Sequence, residues 1–164
     1  METAKIGTKK LGKLLLTALG ALAIMSSASG QDTIKIAYIE PLSGPFANVG
    51  DAGLKHFRYK AEVMNKAGGI LGKQIEIVPF DNKGSPQETL TILRQVADQK
   101  IQYITQGNGS HVAGALVEGV EKHNQRNPNK ILYLNYAAVD PTLTESKCSF
   151  WHFRFDANSE MKLE

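Results

Sequence analysis

The sequence predicts an α/β domain built as a doubly wound parallel sheet with helices on both faces. Three observations carry that prediction. Apolar, β-rich runs alternate strictly with amphipathic helical stretches from Ile34 to Phe155, and right-handed βαβ units join such a series compactly. Pro79 sits inside the second β-rich run and cannot donate to a ladder, which assigns that strand to a sheet edge and gives the order 2-1-3-4-5. The third β-rich run ends in Gly107-Asn108-Gly109-Ser110, a tight turn into a helix beside the point where the strand order reverses.

The elements follow in chain order. Met1–Lys13 carries Lys5, Lys9, Lys10 and Lys13 against one acid, Glu2, and an apolar run, Leu14–Met25, comes next. Ser26-Ser27-Ala28-Ser29-Gly30 then supplies small residues. A basic region, a short apolar core and a small-residue cleavage site are the parts of a secretory signal peptide, and the run is too short for a comfortable membrane span. Cleavage after Ala28 is expected, leaving 29–164 as the mature domain. The chain has 19 Lys and Arg against 16 Asp and Glu; the signal holds four of the former and one of the latter, so the mature part carries 15 of each. The basic balance therefore belongs to export, and no nucleic-acid partner is implied. Cys148 is a lone cysteine in a compartment that permits disulfides.

Ile34–Ile39 reads as a buried strand. Glu40–Gly50, with two prolines and two glycines, reads as a loop. Asp51 is expected to cap a helix to about Ala67, with Leu54, Phe57, Ala61 and Met64 as its buried stripe and Gly68-Gly69 as its left-handed end. Gln74–Phe80 alternates as a second strand. Ser85-Pro86-Gln87-Glu88 is a capping box, and Leu90, Leu93, Val96 and Ala97 form the buried face of the helix behind it. The helix opened by Ser110 buries Val112, Leu116, Val117 and Val120 and ends at Asn127-Pro128-Asn129. Ile131–Leu134 and Ser149–Phe155 are the fourth and fifth strands. Asp156–Glu164 looks like a turn opening a further helix, as in a fragment of a longer protein.

Glu40–Gly50, Gly107–Ser110 and Tyr136–Asp140 should meet beyond the carboxyl ends of the strands, where such sheets bind ligands. Ser110 has two readings there: a cap on its own helix, or a contact that works with the helix's first amides to hold an anionic group. His111 lies beside it. No catalytic set emerges. The glycines lack the third member of a dinucleotide fingerprint and no P-loop lysine follows. His56, His111, His123 and His152 have no paired metal-ligand spacing, and Asp81, Asp140 and Asp156 form no tuned acid–base pair.

The segments IKIAYIEPLSGPFANVGDAG, NKAGGILGKQIEIVPFDNKGSPQET and NYAAVDPTLT, with the Gly-Ser helix start between them, resemble the periplasmic binding proteins of branched-chain amino acid ABC transporters. The resemblance runs from Ile34 to the C-terminus; the Leu42-Ser43-Gly44-Pro45 loop and the Asn65-x-x-Gly68-Gly69-Ile70-x-Gly72 connection are its most specific parts. It implies the first lobe of a type I periplasmic binding protein fold, with the second lobe and the return segments absent. It implies a monomeric periplasmic protein, without enzymatic activity, cofactor or metal, that delivers an amino acid or related carboxylate to an ABC permease and meets the membrane only through it. A ligand-sensing domain and an α/β enzyme fragment are the alternatives.

The resemblance also assigns roles. Ser110, with Gly109 and His111 beside it, would take the ligand carboxylate, and the backbone of Ala137 and Ala138 the ligand ammonium. Val139 stands where the family has a threonine hydroxyl, and Val49 where leucine binders have an aromatic residue. Both departures count against leucine or valine, with Asp140 and Phe46 as substitute contacts.

Overall fold

The computed structural model describes residues 33–163; the signal peptide expected over 1–28 lies outside them. Five strands, β1 (Thr33–Glu40), β2 (Gln74–Asp81), β3 (Tyr103–Gln106), β4 (Leu132–Asn135) and β5 (His152–Arg154), alternate with three helices, α1 (Ala47–Lys66), α2 (Pro86–Asp98) and α3 (Ser110–Arg126). A 3₁₀ turn, Pro141–Thr144, follows β4. The sheet is parallel throughout with order β2-β1-β3-β4-β5, and Pro79 lies on the edge strand, opposite Tyr38.

Register separates the two faces. The row Ala37–Ile104–Tyr133–His152 faces α2 and α3 and packs into a core with Ile92, Leu93, Val96, Leu116, Val117 and Val120. The row Tyr38–Thr105–Leu134–Phe153 faces the other way, where the α1 ring Phe57 meets Tyr38 with centroids 5.3 Å apart. Two helices end on an asparagine that clamps the incoming chain. Asn65 pairs both backbone groups of Ile75, at 2.7 and 2.8 Å, and Asn124 does the same for Ile131, at 2.8 Å each. These buried or half-buried backbone groups thereby find partners outside the ladder.

Several local expectations need correction. α1 begins at Ala47, not after Asp51: the Ala47 amide closes a turn onto the Gly44 carbonyl at 3.1 Å, and the Gly50 amide already bonds Phe46. Gly50 read as a breaker, but it is a helical residue set against the Pro41 carbonyl, where a Cβ would lie 2.0 Å from the oxygen. Asp51 instead pairs with Lys55 on the helix surface at 2.6 Å. Met64 is exposed, because Asn65 takes the position facing β2. The capping box is one-sided: Ser85 accepts from the Glu88 amide, while its own amide bonds Asn82. Ile92 joins the buried face of α2, while Leu90 and Ala97 pack at its margin. β4 starts one residue late because Asn124 holds Ile131, and β5 loses its first three residues to a turn in which the His152 amide bonds the Ser149 carbonyl. The 3₁₀ turn was not anticipated. After Asp156 the chain makes a single turn as expected: the Asn158 side chain accepts the Met161 amide at 2.8 Å and its carbonyl accepts the Lys162 amide at 3.2 Å.

Candidate functional site

β1, β3 and β4 end together, so the loops that leave them share one rim. Between them lies a concavity of about 320 Å³ lined by Val49, Gly107, Asn108, Gly109, Ser110, Tyr136, Ala137, Ala138 and Val139. A concavity of about 370 Å³ at the opposite end of the sheet, around Ile70, Leu71 and Tyr103, lies where the strands begin, away from the switch point.

Two glycines shape this rim. A Cβ on Gly107 would stand 2.9 Å from the Ala137 Cβ, the Ala137 nitrogen and the Tyr136 ring, so only glycine lets the β3 and β4 loops touch. Gly109 has φ +95 and is the N-cap of α3, a backbone conformation that side-chain-bearing residues resist. Ser110 is therefore the first helical residue, not the cap, and its hydroxyl makes no capping bond. Its Oγ accepts the Asp140 amide at 3.3 Å, which leaves the hydroxyl proton for another acceptor. The Val112 and Ala113 amides already bond the Gly109 carbonyl, at 3.1 and 3.0 Å, so the amides of Ser110 and His111 are the ones at this helix start without an intrahelical acceptor.

Asn135 builds the opposite wall. Its side-chain oxygen accepts the Ala137 and Ala138 amides at 3.1 and 2.8 Å, and its Nδ2 donates to the Ala138 carbonyl at 3.1 Å. Ser159 donates to the Val139 carbonyl at 2.9 Å. The Ala137 carbonyl carries neither of these bonds.

Of the expected site residues, Val49, Gly109, Ser110, Ala137, Ala138 and Val139 line the concavity, and His111, Phe46 and Asp140 do not. The His111 ring lies 3.1 Å from the Gly84 carbonyl, in the loop before α2. Phe46 is the N-cap residue of α1 and its ring is exposed. Asp140 caps the 3₁₀ turn: its Oδ1 accepts from the Thr142 hydroxyl at 2.8 Å and the Thr142 amide at 2.9 Å, and these bonds hold its carboxyl below the usual range.

The sequence reading passed over Glu40, Tyr38 and Tyr136. Glu40 has no exposed surface. Its Oε1 accepts the Gly107 amide at 2.6 Å, the Tyr136 hydroxyl at 2.6 Å and the Asn108 amide at 3.1 Å, and its Oε2 has no partner. Burial pushes its carboxyl above the usual range, against the pull of those three donors. Burial likewise pushes the Tyr38 hydroxyl to about 12 and the Tyr136 hydroxyl higher still, with the Glu40 charge adding to each rise. An acid closing an apolar inner strand was the one available signal. Among the described residues, no cluster of His, Cys, Asp and Glu could hold a metal, and no helix is long and apolar enough to cross a membrane.

The periplasmic binding protein family model matches residues 33–164. The chain is 38% identical over 149 residues to the Leu/Ile/Val-binding protein homolog 4 of Brucella abortus, covering 90% of this chain and 36% of that relative. Among solved structures it is similar to the leucine-, isoleucine-, valine-, threonine- and alanine-binding protein of Brucella ovis in its closed conformation. That pair has TM-score 0.73 and 41% identity, over 77% of this chain and 33% of the other. It is similar as well to a branched-chain amino acid transporter substrate-binding protein of Streptococcus pneumoniae in complex with isoleucine. There the TM-score is 0.67 and the identity 27%, over 77% and 34% of the two chains. The chain thus spans about a third of the length of these relatives.

Proposed function

The chain belongs to the periplasmic binding protein family, and from that premise we propose that it is the N-terminal lobe of an exported protein that captures an amino acid or related carboxylate for an ABC importer. In this reading residues 1–28 direct export and 29–164 form the lobe; N-terminal sequencing of the exported protein should begin near Ser29. The protein acts as a monomer, closes a second lobe over the solute by a hinge and presents the closed form to the permease, with no covalent step. Against the departures at Val49 and Val139, the names of the relatives put leucine, isoleucine, valine, threonine and alanine first among solutes to try.

The observation that carries the reading is the rim itself, where a helix start with a free hydroxyl proton faces an alanine wall across a solute-sized concavity. A carboxylate beside Ser110 would take that proton and the first amides of α3, and an ammonium would take the Ala137 carbonyl. The apolar contacts of Val49 and Val139 leave room for a short aliphatic side chain.

Calorimetry on the full-length protein with those five amino acids tests it. A hydrogen bond to a charged group is worth roughly 1.5–3 kcal/mol, so Ser110→Ala should weaken the best ligand about ten- to a hundredfold. Because Ser110 makes no capping bond and gives up only the long 3.3 Å bond from the Asp140 amide, the variant's melting temperature should fall by less than the loss of a helix cap would cause. An unchanged dissociation constant would remove Ser110 from the site, and no binding of any amino acid would remove the solute class.

A further inference from the structure

All three loops of the rim are tied to side chains from the end of β1. Tyr38 donates its hydroxyl to the Gly50 carbonyl in α1 at 2.8 Å and lies 3.4 Å from the Tyr136 hydroxyl of the β4 loop. Tyr136 donates to Glu40, and Glu40 takes the amides of Gly107 and Asn108 in the β3 loop. One oxygen thus meets three donors, an arrangement suited to a full negative charge and poorly suited to a neutral carbonyl. Its companion Oε2 is buried without a partner. A buried charge so imperfectly compensated is a poor source of stability, since a neutral side chain of the same shape avoids the desolvation. What the charge does provide is direction. It draws two consecutive amides inward and fixes the peptide planes that lead into Gly109 and Ser110. It also withholds those two amides from the solute, leaving the anionic contact to Ser110 and the first turn of α3.

We propose that Glu40 is the positioning residue of the solute site: its carboxylate holds the Gly107–Asn108 turn and the Tyr136 ring where Ser110 can meet a carboxylate. The inference rests on the binding reading above. The ionisable groups around Glu40 are Tyr38 beside it on β1, Asp81 opposite it on β2, Tyr136 in the loop after β4 and Tyr133 on the far face of β4, with Asp51 of α1 beyond Tyr38. The three tyrosines are all pushed upward, and against its burial the hydrogen bonds from Ser43, Leu42 and Lys83 hold Asp81 below the usual range, so between acid and neutral pH Glu40 is the member of this network that titrates. Protonating it weakens its hold on all three donors at once.

The test compares the full-length protein with Glu40→Gln, using L-leucine as the probe in calorimetry from about pH 4.5 to 8. Wild-type affinity should fall as pH drops through the raised value of Glu40. The variant should bind about tenfold more weakly at neutral pH and lose that pH dependence, with a melting temperature that holds or rises. Amide hydrogen exchange at Gly107 and Asn108 is read on the same samples and should be faster in the variant. That readout needs no ligand: if wild type ignores L-leucine, that choice of solute fails, and the exchange rates still decide the role of Glu40. A variant with unchanged affinity and unchanged exchange, whatever its melting point, would make Glu40 merely structural. Should Glu40→Gln not fold, the wild-type protein suffices, since protection at Gly107 relative to core amides must fall as Glu40 protonates. Constant protection would overturn the proposal.

Discussion

Two rows of side chains cross the same sheet and meet different fates. On the face covered by α2 and α3, Ala37, Ile104, Tyr133 and His152 run from β1 to β5 at 0, 0, 0 and 7% exposure. On the α1 face, Tyr38 and Thr105 are buried at 0 and 3%, Leu134 is half-buried and Phe153 reaches 49%. One face is packed across its whole width. The other is packed where α1 lies, thins out toward β5, and carries the Tyr38–Tyr136–Glu40 brace where it is still closed. The difference separates two jobs that a binding lobe has to do at once. The apolar face supplies stability, and the polar, partly covered face orients loops.

Truncation should expose that division most strongly. Leu116 of α3 has no exposed surface, so Leu116→Ala should lower stability by about 2–5 kcal/mol. Phe153→Ala, on the half-open row, should cost about 1 kcal/mol or less although it removes the larger side chain. Urea unfolding of both variants checks the pair. A cost at Phe153 approaching that at Leu116 would mean that this face is covered in the full-length protein, and the comparison would need redrawing.

The second way to sharpen it is pH. His152 is the one titratable imidazole in the closed row, where its ring lies 4.9 Å from that of Tyr133. Its Nδ1 lies 3.2 Å from the Leu143 carbonyl, which assigns the proton to that nitrogen, and its Nε2 is buried without a partner. Burial pushes its pKa below the ordinary value. The unfolded chain therefore takes up this proton at about pH 6.5, before the folded protein does. Stability from this residue is complete above that pH and falls as pH drops toward the lowered folded value. Glu40, on the other face, acts in the opposite sense: its folded value is raised, so its ionisation costs stability as pH rises through that value. Replacing His152 by Phe should flatten the acid-side slope of a urea-stability profile. A slope that survives the change would have to come from other groups.

The fold was readable because its signals are local. Alternating runs, Pro79 and the glycine turns each act over a few residues, and together they give strand order and the place of the rim. The start of α1 was misread for the same reason: Val49-Gly50 looks like a breaker until the Pro41 carbonyl is seen to need the space. Among the expected site residues, those that line the concavity sit in the loop segments nearest the strand ends. His111, Phe46 and Asp140 are close to them in sequence but turned to Gly84, solvent and Thr142. Glu40 was out of reach. Its partners are 67, 68 and 96 residues away, so its role exists only once β1, β3 and β4 lie side by side.

The smallest expected effect concerns how the helices on the two faces begin. Ser85, before α2, has extended backbone angles, φ −106 and ψ 127, and its Oγ accepts the Glu88 amide, with Pro86 in the first turn. Phe46, before α1, makes no side-chain bond, and its ψ of 9 turns the residue away from the extended geometry that capping uses. Only the α2 start should therefore respond to the chemistry of its cap. Caps of this kind contribute about 0.5–2 kcal/mol, and the 3.4 Å length of this one puts Ser85→Ala at the lower end. Phe46→Ser, which supplies a hydroxyl at the other start, should gain nothing, because a hydroxyl held at that ψ does not reach an amide of the first turn. Thermal melts of the two variants beside the parent protein read both effects. A gain from Phe46→Ser equal to the loss from Ser85→Ala would show that the α1 start relaxes into capping geometry when given the residue for it, and the contrast between the two helix starts would then lie in their side chains alone.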